Sequence, residues 1–182
     1  YKFDISFYCK YLLPFFFIGT VVMIAVMAQT GAGLKTDATP LGIIDLEFAH
    51  NTTKAKAVIN AWSPTLYEPA GKITAAKINT WLDFIFLAFY SFFLFFACTD
   101  IALIIKGPVA KAGNMLAKAA LLSGFFDVLE NAGMLLTLNG HISASIAFLT
   151  TFFSVIKWVL VLIAILYVLT GSLYLVYRKI KK

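Results

Sequence analysis

Charge is scarce in this sequence. Asp, Glu, Lys and Arg make up 13% of its 182 residues, while 61% are hydrophobic and Phe alone occurs 18 times. Soluble domains are about 45–50% apolar, so the balance excludes an ordinary soluble domain and fits a polytopic membrane protein. Cysteine is nearly missing too. Cys9 and Cys98 are far apart and form no C-x-x-C, which excludes a dithiol redox motif and a thiolate metal cage. Cys98 lies in an apolar run and is expected to pack as a small apolar side chain. The two histidines, His50 and His141, both fall in loops, a poor arrangement for a bis-histidine haem. There is no Ser-His-Asp order, no glycine-rich phosphate loop and no H-E-x-x-H. Gly31-x-Gly33 by itself is too short a signal to use. The formal net charge of +6 does not point to nucleic acid. Basic residues are mostly scattered singly at segment ends, apart from the cluster Arg178-Lys179-Ile180-Lys181-Lys182, which reads as a membrane-surface anchor.

What the chain does have is long apolar runs. They predict an all-α, polytopic membrane protein of one domain over 1–182. Its form is an antiparallel four-helix transmembrane bundle with spans at 11–29, 74–105, 114–138 and 143–177, and a basic tail at 178–182. Pro14 falls in the first turn of the first span, where its missing N–H costs little. The basic start, apolar stretch and Val26-Met27-Ala28 also resemble a signal peptide; we read a transmembrane helix. The outer loop, 30–72, carries helical signals. Thr39-Pro40 reads as N-cap and first helical residue, with Leu41, Ile44 and Phe48 as an apolar face. Asn51-Thr52-Thr53 reads as a break and new cap, followed by Ala55, Val58, Ile59 and Trp62 on a second face; Ser63-Pro64 ends it. These amphipathic helices are expected to cap the bundle or lie on the membrane surface. Asn51-Thr52-Thr53 also matches a glycosylation acceptor, relevant only in a secretory eukaryotic setting.

Basic residues set the expected orientation. Lysines flank the N-terminus and the 106–118 turn, the tail is basic, and the 139–142 turn has no Lys or Arg. Both termini in the cytoplasm, in the cell (inner or plasma) membrane, satisfies all of these. Trp81 and Trp158 then fall at the outer interface. Asp100 reads as an interfacial acid near Lys106. Phe84, Phe92, Phe95 and Phe96 suit lipid.

The stretch Ser123–Asn131 is the polar anomaly. Asp127, Glu130 and Asn131 stand at i, i+3 and i+4, one face of a helix inside an apolar run. Ionisable groups in lipid are costly and face a bundle interior or a cavity. Helical rise puts Asp83 about 34 Å above Lys106, Lys157 about 30 Å above Arg178, and the two acids of the third span about 20–25 Å up. Asp83 and Tyr90 share a stripe of the second span; Thr150, Ser154 and Lys157 share one of the fourth. Asp83, Asp127 and Glu130 against Lys157 leave a formal excess of two negative charges. Either acids keep their protons or a cation occupies the site. A purely structural network satisfied by Asn131 and hydroxyls is the competing reading.

The candidate ligand-binding residues are therefore Asp83, Tyr90, Asp127, Glu130, Asn131 and Lys157, in a cavity among the second, third and fourth spans. Asp45, Glu47 and His50 could close over its mouth. Glu47-x-x-His50 resembles half of a di-iron carboxylate motif, and with Glu130 gives a weak metal candidate. Three functional readings follow. One is a protein binding a small cation or an amine-bearing amphiphile or lipid. Another is an accessory subunit presenting the Phe-rich face of the second span to a protein partner. The third is an intramembrane metal-dependent or acid–base enzyme. No cofactor is specified.

Overall fold

The computed structural model describes residues 5–64 and 71–181, with side chains from residue 11 onward. Among them the chain is helical: α1 (Ile5–Gly31), a 3-10 turn (Ala32–Leu34), α2 (Ile43–Glu47), α3 (Thr52–Trp62), α4 (Ile73–Ile104), α5 (Pro108–Leu138) and α6 (Ala144–Ile180). The described residues hold no strand, only an isolated bridge between Thr36 and Thr39. Four helices are long and apolar enough to cross a membrane. Among them α5 has the lowest mean hydropathy, 1.3 against 2.0–2.6, because it carries the polar stripe.

Several boundaries differ from the sequence expectation. The third long helix starts at Pro108 rather than 114. Gly107, at φ +83°, turns the chain and Pro108 supplies a ready-made first helical residue. Lys111 and Lys118 are therefore exposed positions on the helix rather than flanks before it. The first long helix begins at Ile5, and the fourth runs on to Ile180, taking in Arg178 and Lys179 of the expected tail. Cations in a last turn suit the helix dipole. Its start is capped by Ser143, whose hydroxyl accepts the Ile146 N–H at 3.2 Å.

In the loop, Thr39-Pro40 does not begin a helix. Gly42, at φ +66°, precedes Ile43 as the cap of a five-residue helix. A helix of that length cannot sustain the face proposed for Leu41, Ile44 and Phe48; Leu41 is 58% exposed, and Leu46 and Glu47 are the buried residues. Thr39 is instead part of a buried knot. Its hydroxyl donates to the Leu34 carbonyl at 2.9 Å, and Trp62 Nε1 donates to the same carbonyl at 2.9 Å and to Thr39 Oγ1 at 3.2 Å. The second cap is as expected: Asn51 Oδ1 accepts the Lys54 N–H at 2.9 Å. Ala55, Val58 and Trp62 form the buried face of α3. Leu34, Leu46, Val58 and Trp62 share one core with Ala76 of α4 and Met134 and Leu138 of α5. The loop helices thus pack on the ends of the long ones.

Helix α4 is central and packs along α1, α5 and α6, while α6 packs along α5. Asp83 meets Asn131 and Tyr90 meets Asp127, so α4 and α5 run in opposite directions. Ala117, Ala120, Ser123 and Gly124 line the buried side of α5; a Cβ on Gly124 would stand 3.0 Å from Ser91. Small residues of this kind allow close helix approach. Aromatic rings join α1 to α4. Phe16 stacks on Phe92 and Phe96, with centroids 5.1 and 5.7 Å apart. Part of the aromatic face expected to meet lipid or a partner is therefore covered within the chain. Asn79 Nδ2 adds hydrogen bonds to Thr30 Oγ1 at 2.7 Å and the Met27 carbonyl at 3.2 Å.

Trp62→Phe deletes both indole hydrogen bonds in a fully buried site and should cost about 1–3 kcal/mol, seen as a lower melting temperature in detergent. Leu41→Ala, at an exposed position, should leave the melting temperature unchanged. Equal effects would contradict the assignment of the loop core.

Candidate binding site: a buried charged cluster beside an apolar cleft

The acid face of α5 turns inward. Asp127, Glu130 and Asn131 are 2%, 0% and 0% exposed. Lys157 of α6 reaches them: its Nζ lies 2.7 Å from Glu130 Oε2 and 3.0 Å from Asp127 Oδ1. From α4, Tyr90 donates its hydroxyl to Asp127 Oδ2 at 2.7 Å. Asp83 Oδ2 accepts from Asn131 Nδ2 at 2.7 Å. Spacing on three helices brings all six candidate residues into one cluster.

Glu47, the last residue of α2, adds a fourth carboxyl. Its Oε2 accepts from Ser154 and Trp158, each at 3.2 Å, and lies 3.8 Å from Lys157 Nζ. Thr151 donates to the Glu47 carbonyl at 2.8 Å and pins the loop to α6. The sequence placed Glu47 over the mouth and in a metal motif, without this role. The available signal was an acid within the otherwise apolar stretch Leu46–Ala49. Its supposed partner His50 lies beyond the end of α2 and is exposed, as is His141. Among the described residues no three His, Cys, Asp or Glu side chains are grouped to hold a metal ion. Asp45 does not reach the cluster; its carboxylate closes a turn by accepting the Leu41 N–H at 2.8 Å.

Three carboxyls surround the ammonium and Asp83 joins the cluster through Asn131, a formal excess of three negative charges. The cluster is also incompletely bonded. Glu130 Oε2 is close to Lys157 but poorly aligned for a hydrogen bond, and neither Glu130 oxygen nor Asn131 Oδ1 has an aligned donor within the protein. Buried acceptors without donors are costly.

Beside the cluster lies a cavity of about 610 Å³, within the range of small-molecule sites. Asp83, Asp127, Glu47 and Lys157 lie on its wall, whereas Glu130 and Asn131 sit behind them. Most of the remaining lining is apolar, including Phe17 and Ile24 of α1, Phe86 and Phe93 of α4, and Val161 and Ile165 of α6, with Thr20, Tyr90 and Trp158 among it. The expected cavity among the second, third and fourth spans is thus displaced. Close α4–α5 approach through small residues leaves no room there, and α5 contributes Asp127 alone. The first span forms the missing wall. It packs along α4 and makes no extended contact with α6, so the two helices flank an open cleft on α4.

Comparison with protein families, curated proteins and solved structures found no match.

Lys157→Met strips the counter-charge from three carboxyls and should destabilise the protein by about 3–5 kcal/mol. Adding Glu130→Gln should restore part of that loss, because it removes one of the stranded charges. Thermal unfolding of the single and double variants checks this; a wild-type melting temperature for Lys157→Met would contradict the ion pairing.

Proposed function

We propose that this chain is a four-span, antiparallel bundle in the cell membrane, with both termini cytoplasmic, and that it binds an amphiphile with an amine-bearing, cationic headgroup. Basic residues near the N-terminus, in the 106–118 segment and in the tail support the orientation, as does their absence from 139–142. The observation that carries the binding reading is the excess of carboxyls over Lys157 at the wall of an apolar cavity. A cationic headgroup relieves the excess charge and supplies donors to Asp83, Asp127 or Glu47. Its hydrocarbon chain lies against Phe17, Ile24 and Val161. A bare cation would satisfy the charge and leave the apolar walls without a role, so the lining favours an amphiphile.

Dodecylamine should bind the protein in nanodiscs and raise its melting temperature, and dodecanol should not. Asp127→Asn should weaken dodecylamine binding at least tenfold, after circular dichroism confirms the fold. Equal binding of the alcohol, or an unchanged affinity in Asp127→Asn combined with Glu130→Gln, would overturn the proposal.

A further inference from the structure

The cleft does not stop at the charged cluster. A second cavity of about 380 Å³ adjoins it along α4. Phe17, Phe93 and Val168 line both cavities, and Asp100 and Ser172 lie on the wall of the second alone. Where the cavities meet, the rings of Phe17 and Phe93 have centroids 5.3 Å apart. Polar groups thus occupy the two ends, with an aromatic narrowing between them.

The spacing matches a bilayer. From Asp83 to Asp100 the rise of α4 is about 25 Å, against a hydrocarbon core of about 30 Å. With the middle of α4 at the bilayer midplane, that separation brings a carboxyl near each boundary of the core on one helix. The open side between α1 and α6 lets the hydrocarbon chain extend from the apolar walls into lipid while the headgroup moves along the cleft. A cation in bare hydrocarbon is expensive, and aromatic ring faces attract cations, quaternary ammonium groups above all. Phe17, Phe93 and Tyr90 supply aromatic rings to the lining between the two acids.

We infer that this cleft is a path along which the cationic headgroup of an amphiphile moves between the two leaflets, from the Lys157 cluster to Asp100. The inference rests on the binding reading above and adds transbilayer exchange to it. Carboxyls at both ends and a paired lysine at one favour a headgroup that carries positive charge and no phosphate.

The test uses the protein in liposomes and a fluorescent alkyltrimethylammonium probe, which cannot shed its charge to cross unaided. Probe in the outer leaflet is bleached by an impermeant reductant, and the protected fraction is followed with time. The protein should speed exchange at least tenfold over empty vesicles. Asp100→Asn and Ser172→Trp, which alter only the second cavity, should each slow exchange several-fold while probe binding measured by thermal shift persists. Retained binding with exchange no faster than in empty vesicles overturns the path and leaves the binding site standing. Absence of binding to the wild-type protein overturns both. Unslowed exchange in both folded variants also overturns the path.

Discussion

The ammonium of Lys157 is the point on which this structure turns. It draws together Asp127 and Glu130 from α5 and Glu47 from the loop, at 3.0, 2.7 and 3.8 Å. In a medium of low dielectric such attractions are strong, and so is the penalty for any partner left alone. The lysine therefore couples the packing of α5 on α6 to the docking of α2. Tyr90 and Asp83 extend the same network to α4 through Asp127 and Asn131. Among the described residues few other polar contacts reach between long helices; Asn79 bonds Thr30 and Met27 of α1, and Tyr167 of α6 donates to the Val109 carbonyl of α5.

Asymmetry in packing explains why the charged cluster has a cleft beside it. Small residues bring α5 tightly against α4, with Gly124 against Ser91. Large aromatic residues hold α1 on the other side of α4, where Phe16 stacks on Phe92 and Phe96. The tight side gives the acids a buried home. The bulky side holds α1 away from α6 and leaves apolar walls around the carboxyls that face it. A saturated charge network would need no such opening. Here the cavity-facing acids outnumber the single cation.

Much of this was legible in the residues. Spans show as apolar runs because lipid demands them, and the i, i+3, i+4 spacing of Asp127, Glu130 and Asn131 shows which face of α5 is buried. Lys157 could be matched to those acids by depth alone, since helical rise is fixed. The rest depended on tertiary contacts that spacing does not encode. Glu47 looked like half of a metal motif, yet α2 ends at Glu47 and leaves His50 outside the helix. Thr39-Pro40 has the chemistry of a cap, but the Trp62 indole takes the Thr39 hydroxyl and Gly42 turns the chain later. The role of α1 as a cavity wall was hidden because its residues are uniformly apolar, and an apolar side chain reads the same against lipid, protein or ligand. Phe92 and Phe96 read as lipid-facing in the sequence for the same reason.

A density map of the protein in lipid nanodiscs, at a resolution that shows side chains, tests the central claim most directly. Lys157 Nζ should stand within ion-pair distance of both Asp127 and Glu130, with Glu47 closing on the same group from the loop. Lys157 extended to water, with the α5 carboxyls turned toward lipid, would contradict it.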